Sequence, residues 1–453
     1  MKTRKKLAFS TTQIILLSFL ITILIGSVLL ALPVSSASGE PVSYLDALFT
    51  ATTSTCVTGL VTLPSATTWS LFGQIVILIL IQIGGLGVIT IVSGIMMLLN
   101  YKLGVRDRLL IQDAFNLNTM SGLKKFVGKV FLGSFIIEGL GALVYMTVLV
   151  PEFGAKGIFM SVFNSVSAFC NAGIDIIGEN SLCNYATNPI INTVTSALII
   201  LGGLGYIVWW DIIRTTRDRG LNPRKFFRHL TLHSKIAIVA SLVLILAGGV
   251  LIFALEYSNP LTIGDMSLFD KIQVSLFQSV TTRTAGFASV PQENLTNAAS
   301  MVSLILMMIG GSPVGTAGGI KTVTFAVLFC SAVATVKNKT HATLFGRSVS
   351  DESIRKALAV TFTFIAICLT STVLLLATQN APPIDVIYET VSATATVGLS
   401  RNFTSTMDAL GKIIIIVTMY LGRVGPISLA VALGGSSAVQ NVIVEPTEDI
   451  SIG

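Results

Sequence analysis

Charge is what this sequence most lacks. Only 11% of its 453 residues are Asp, Glu, Lys or Arg, against about 25% in an ordinary soluble domain. That shortage excludes a typical soluble globule. The 52% apolar content and mean hydropathy of +0.82 point to a membrane instead. Histidine is scarce: His229, His233 and His341 lie in basic stretches and show no metal-ligand spacing. The five cysteines (Cys56, Cys170, Cys183, Cys330, Cys368) form no CxxC pair, so neither a disulfide framework nor a metal site follows from them. No His/Asp/Glu or Ser/His group recurs at catalytic spacing, which disfavours an intramembrane enzyme.

What the chain does have is a repeat. LFTATTSTCVTGL (48–60), VFNSVSAFCNAGI (162–174), LFQSVTTRTAGF (276–287) and IYETVSATATVGL (387–399) share one pattern ending in glycine. The glycines, Gly59, Gly173, Gly286 and Gly398, are 114, 113 and 112 residues apart. Around each lies a long apolar run, a short segment, the glycine, and a second apolar run. The spacing predicts first helices near 13–32, 125–149, 233–256 and 355–378, and second helices near 73–99, 190–213, 299–336 and 410–433. The short segments at 42–55, 156–168, 267–281 and 384–395 are too short to span about 30 Å of hydrocarbon and read as re-entrant helices. The expected fold is an all-α polytopic membrane protein, with four helix–re-entrant loop–helix repeats arranged pseudo-fourfold around one pore. The units are repeat 1 (1–100), repeat 2 (101–213), repeat 3 (214–336), repeat 4 (337–435) and a tail at 436–453. The opening KTRKK and apolar run, followed by PVSSASG, also have the outline of a signal peptide. The recurrence of that element in the other repeats favours a retained helix.

Two crossings and a re-entrant segment return each repeat to its starting side. Most Lys and Arg fall at 2–6, 102–129, 214–235 and 337–356, whereas the opposite loops carry acids such as Glu40, Asp46, Asp265, Asp270 and Asp385. By the positive-inside rule the basic loops and both termini are cytoplasmic. The net charge of +7 is then a topology signal. No nucleic-acid-binding motif accompanies these loops.

A dehydrated cation needs several oxygens at fixed distance, and inward-turned backbone carbonyls supply them. Alternating carbonyl direction demands dihedrals that favour glycine. Thr396-Val397-Gly398-Leu399 is close to the start of the potassium-channel TVGYG loop. Val57-Thr58-Gly59, Asn171-Ala172-Gly173 and Thr284-Ala285-Gly286 are looser versions in register. These twelve residues are the expected ion filter. Glycines that merely permit tight turns are the plainer alternative. The third segment departs slightly: its LF pair stands one residue closer to the glycine, so its re-entrant helix is expected to end differently.

The second apolar run of repeat 3 is interrupted by Gly310-Gly311-Ser312-Pro313-Val314-Gly315-Thr316-Ala317-Gly318-Gly319. Gly costs about 1 and Pro about 3 kcal/mol in a helix relative to Ala, so a continuous helix is excluded. Shorter glycine groups, GGLG at 84–87 and 202–205, are expected to serve close helix packing. GTAGGIKT is not a nucleotide P-loop, because Ile320 separates the last glycine from Lys321. Arg423, inside YLGRVGP, is costly at membrane depth unless paired or hydrated. It faces the cavity, or it snorkels from a helix end. Arg283, Glu138 and Lys321 raise the same question, with bracing the favoured role for Arg283. Outer acids including Asp175 and Glu179 are candidates for concentrating cations at the mouth.

The repeat, QSVTTRTAGF (278–287) and the glycine-rich break together resemble the Trk/Ktr/HKT superfamily of cation transporters over about 13–435. Without extra N-terminal helices, the compact chain most resembles its KtrB type, the membrane subunit of bacterial Ktr potassium uptake systems. The resemblance implies K⁺ selectivity, since all four filter positions are glycine and serine at the first accompanies Na⁺ permeation in some plant members. It implies that Gly310, Gly311, Ser312, Pro313, Gly315, Thr316, Gly318 and Gly319 form an intramembrane gate loop; Arg423, read as facing the cavity, is expected to touch its carbonyls. It implies a homodimer in the plasma membrane of a bacterium and a cytosolic RCK-type nucleotide-binding ring. No bound cofactor is expected; K⁺ is the transported ion and Na⁺ a candidate activator. A Na⁺-conducting or Na⁺-coupled transporter of the same fold stays as the alternative.

Overall fold

The computed structural model describes residues 10–98, 104, 109–110, 112, 122–219, 223–339 and 341–425. The basic N-terminal stretch, part of the 102–129 loop and the expected tail at 436–453 lie outside them. The described chain is helical apart from loops and one hairpin pairing Thr343–Leu344 with Arg347–Ser348.

Among the described residues four single helices are long and apolar enough to cross a membrane: Thr11–Leu30, Leu123–Phe153, Leu232–Glu256 and Asp351–Thr378. Their starts are marked chemically. Ser10 and Gln13 form a reciprocal capping box, and Thr231 and Ser350 cap the third and fourth. Much of their surface stays apolar and exposed, as at Leu132, Leu140, Val250 and Phe362, which suits contact with lipid.

Each is followed by a short helix: Tyr44–Cys56, Ala155–Cys170, Leu268–Thr281 and Pro383–Ala395. At 1.5 Å per residue these reach about 20–24 Å, less than the hydrocarbon thickness. They form the buried interior, and several of their hydroxyls are satisfied within the helix. Thr52 donates to the Leu48 carbonyl at 2.7 Å, Ser54 to Thr50 at 2.6 Å and Thr394 to Thr390 at 2.7 Å.

The second helices differ from expectation in continuity. Leu71–Leu86 bends by 95° into the helix that begins at Val88, and Pro189–Leu204 by 93° into the one that begins at Tyr206. The breaks sit at Gly87 (φ 87°) and Gly205 (φ 91°), a left-handed conformation only glycine adopts cheaply. The GGLG groups therefore do two jobs. Their first glycine allows close packing, since a Cβ on Gly84 or Gly202 would strike the Thr55 or Phe169 carbonyl. Their last turns the chain. In repeat 3 the helices Asn297–Met308 and Thr322–Val336 flank the glycine-rich break, and in repeat 4 Ala409–Val424 ends at Gly425 (φ 94°).

The repeats are stitched in a ring. Gln82 donates to Glu138 at 3.0 and 3.2 Å between the first and second. Leu182 N donates to the Ala288 carbonyl at 3.0 Å between the second and third. Tyr388 reaches Gln292 at 3.0 Å, and Arg401 binds Asp385 of its own repeat while donating to the Gln292 carbonyl, between the third and fourth. Lys412 pairs with Asp46 at 2.6 Å and closes the fourth against the first. Both members of that pair are mostly buried, so removing one strands the other charge; a fully buried pair costs about 3–5 kcal/mol to break. Asp46→Asn should therefore lower the melting temperature of detergent-solubilised protein by several degrees, and adding Lys412→Met should recover most of the loss.

Candidate ion pathway

The four glycine segments adopt one backbone. The residue two before each glycine is left-handed: Val57 (φ 55°), Asn171 (φ 59°), Thr284 (φ 63°) and Thr396 (φ 52°). Each glycine also has positive φ: 97°, 65°, 83° and 98° for Gly59, Gly173, Gly286 and Gly398. In repeats 1, 2 and 4 the re-entrant helix ends three residues before the glycine, and the left-handed residue is its C-cap. In repeat 3 it ends earlier, at Thr281 with Thr282 as cap, as the displaced LF pair leads one to expect.

The segments meet in cyclic order. A Cβ on Gly59 would approach the Ala172 carbonyl to 2.6 Å; one on Gly173 would approach Ala285 to 2.5 Å; one on Gly286 would approach Val397 to 2.5 Å. A Cβ on Gly398 would strike the Thr58 carbonyl and close the circuit. Thus all twelve segment residues come together around one axis, and the eight beside the glycines are buried. No side chain fits at the glycines without displacing a neighbour's carbonyl. The four re-entrant helices point their C-terminal ends inward, each carrying roughly half a negative charge from its aligned peptides. The centre therefore favours a cation without any acidic side chain.

Against those helix ends lies the 310–319 loop. It enters and leaves through an Ile309–Ile320 bridge, with Gly310 N donating to Ile320 O at 3.0 Å. Ser312 N and Thr316 N donate to the Gly203 and Gly202 carbonyls at 2.8 and 3.1 Å. Tyr206 N returns a bond to Val314 O at 3.0 Å. The Thr316 hydroxyl reaches the Phe169 carbonyl at 3.1 Å and Asn171 Oδ1 at 3.2 Å, and Gly318 N donates to Thr284 Oγ1 at 3.2 Å. A Cβ on Gly318 would strike the Thr396 hydroxyl. Glycine is needed there because the loop runs directly beneath the segments.

The membrane cations find partners on this loop. Arg423 donates to the Thr316 carbonyl at 2.6 Å and to the Gly84 carbonyl at 2.5 Å. Lys321 donates to the Ala317 carbonyl. Arg283 bridges the Ser241 and Gly310 carbonyls at 3.2 and 3.1 Å, the bracing role the sequence favoured. Ser312 pairs its hydroxyl with Thr322 at 2.9 Å. Asp175 is buried, with its carboxylate turned onto the Ile177 N–H, so it is not a free charge at the mouth; Glu179 is exposed.

Sequence reasoning missed Glu389. It is fully buried and accepts from Ser400 at 2.7 Å and Thr404 at 2.5 Å, which clamps the chain just past Gly398. A carboxylate inside the hydroxyl-rich run IYETVS was the available signal. Among the described residues no group of three or more His, Cys, Asp or Glu gathers as a metal site.

A crossing helix, a re-entrant helix and a non-helical glycine segment, four times around one axis, define a membrane transport protein. The family model described as TrkH, cation transport protein, matches residues 2–437, and the chain belongs to that family. It is 40% identical to Ktr system potassium uptake protein B of Bacillus subtilis strain 168, over 94% of each chain. It is 38% identical to potassium/sodium uptake protein NtpJ of Enterococcus hirae, over 96% of this chain and 95% of that one. The crystal structure of the potassium transporter TrkH from Vibrio parahaemolyticus shares the fold, with a TM-score of 0.74 at 16% identity over 94% of this chain and 85% of that one. The protein is a multi-pass membrane cation transporter, not an enzyme. The Ser400 and Thr404 bonds make Glu389→Ala a destabilising change, with an expected cost of about 1–3 kcal/mol for two lost hydrogen bonds, measurable as a lowered melting temperature.

Proposed function

We propose that this protein carries K⁺ into the cell, down its electrochemical gradient, through a filter formed by Val57-Thr58-Gly59, Asn171-Ala172-Gly173, Thr284-Ala285-Gly286 and Thr396-Val397-Gly398. One observation carries the reading: each glycine abuts the carbonyl before the next repeat's glycine, in the order one, two, three, four, one. Such a ring supplies oxygens in place of an ion's water. The names of the relatives, potassium uptake protein B and potassium/sodium uptake protein, fit this class of cargo. The second name also keeps Na⁺ as the alternative substrate or activator.

In this reading the quarters are 1–100, 101–213, 214–336 and 337–435. The 310–319 loop is the gate, and Arg423 holds it shut by gripping the Thr316 carbonyl while placing positive charge in the path. Basic loops and termini face the cytoplasm. A partner supplies control: the B. subtilis and Vibrio alginolyticus relatives are named as parts of a Ktr system, and a nucleotide-binding RCK ring on the basic loops of a homodimer fits that naming.

The test is uptake of K⁺ and Na⁺ into proteoliposomes. Wild-type protein should prefer K⁺, and Gly286→Ser should cut the K⁺/Na⁺ ratio about tenfold, the factor that 1.4 kcal/mol of lost discrimination represents. Equal passage of both ions by the wild type would refute the filter. Arg423→Ala, and replacement of 312–318 by a shorter linker, should each raise flux severalfold in folded protein. Unchanged or slower flux would refute the gate.

A further inference from the structure

Behind each of the four glycines stands one hydroxyl side chain, carried on the re-entrant helix of the same repeat: Thr53, Ser167, Thr281 and Ser392. All four are fully buried. Thr53, Ser167 and Ser392 precede their glycines by six residues, and Thr281 by five, in keeping with the earlier end of its helix. Equivalent in place, they differ in action. Thr53 Oγ1 accepts the Gly59 N–H at 3.0 Å, and Ser392 Oγ accepts the Gly398 N–H at 3.0 Å. Ser167 instead donates to the carbonyl of Ile174, and Thr281 donates to that of Phe287 at 2.7 Å. Ile174 and Phe287 are the residues just past their glycines. Among the described residues no hydrogen bond takes the matching carbonyls of Leu60 and Leu399.

We infer that these hydroxyls are positioning residues that divide the carbonyl ring just outside the filter glycines into two unlike halves. The inference rests on the carbonyl-filter reading above. The inner ring, built from the Thr58, Ala172, Ala285 and Val397 carbonyls, closes through all four repeats. Two residues outward, past the glycine carbonyls, the Ile174 and Phe287 carbonyls are turned back onto their own helices, where each accepts one hydroxyl. The Leu60 and Leu399 carbonyls, from the adjacent fourth and first repeats, stay available. A cation at this outer position meets oxygens on one flank and keeps water on the other. Full dehydration begins only at the inner ring, so the outer position is a weak, half-hydrated waiting site. It takes a monovalent cation without strong choice.

Proteoliposome uptake separates the two pairs. Ser167→Ala and Thr281→Val release two carbonyls toward the axis. They should lower the external K⁺ concentration for half-maximal uptake about threefold to tenfold while keeping the preference for K⁺ over Na⁺. Thr53→Val and Ser392→Ala leave a glycine N–H unpaired in the interior. They should instead lower that preference about tenfold, the scale of one lost buried hydrogen bond. Thr53→Ser and Thr281→Ser keep the hydroxyl and should rescue both quantities, which separates lost bonding from misfolding. One common phenotype for all four truncations, or no rescue, would overturn the division. Gly286→Ser run alongside tells the two levels apart. If it lowers the K⁺/Na⁺ ratio while the hydroxyl pairs fail to split, the filter stands and this inference falls. If it leaves the ratio unchanged, the filter reading falls, and the inference with it.

Discussion

Inside hydrocarbon, every backbone N–H and C=O must find its partner within the protein. The described residues leave the helix at the four glycine segments, at the bends of Gly87 and Gly205 and at the 310–319 loop, and several of these breaks satisfy one another. The bend at Gly205 leaves the Gly202 and Gly203 carbonyls without helical partners. They accept the Thr316 and Ser312 N–H groups of the 310–319 loop. At the start of the next helix the Tyr206 N–H donates to the Val314 carbonyl of the same loop. In repeat 1 the corresponding orphan is the Gly84 carbonyl, and the Arg423 guanidinium takes it. Loop and arginine belong to different repeats from the bends they complete. Their apparent departures from symmetry are thus what lets the bends exist.

The same bonds tie the loop to the glycine segments. Thr316 holds Asn171, and Gly318 holds Thr284; these are two of the left-handed residues that shape the ring. Movement of the loop therefore disturbs the hydrogen bonding of the segments above it. Arg423 connects the loop to repeat 1, and Arg283 connects it to the third crossing helix through the Ser241 carbonyl. Each cation rests on carbonyls, and no acid neutralises either among the described residues.

Much of this was legible in the sequence, because the repeat is a covalent pattern. Glycine spacing, re-entrant segment length and the shift at Thr281 could all be read from residue order. The long break was legible as well, since Pro313 and five glycines beside it rule out a helix. The bends at Gly87 and Gly205 were not. GGLG fits either close packing or a turn, and the choice depends on whether a third element waits to take the released carbonyls. Glu389, Gln82–Glu138 and Asp46–Lys412 were hidden for a related reason. A polar residue in an apolar run announces that it has a partner without saying which. The division of labour among Thr53, Ser167, Thr281 and Ser392 was further out of reach, because it turns on which backbone atom each hydroxyl meets.

The pairing of Lys412 with Asp46 joins residues 366 positions apart. A ribosome delivers Asp46 early and Lys412 nearly last, so for most of its synthesis the chain is an open arc. During that interval the flank of Tyr44–Cys56 that packs against Ala409–Val424 has no protein neighbour. The polar groups meant for the centre face lipid, water or a chaperone. Non-local closure of this kind is slow, since the entropy of bringing distant segments together is spent before any contact repays it. The circuit of glycine segments therefore lacks its contacts through the fourth repeat until residues 396–398 have been made. A chain that stops before Thr396 would leave the Gly286 and Gly59 segments each without one of their two neighbours.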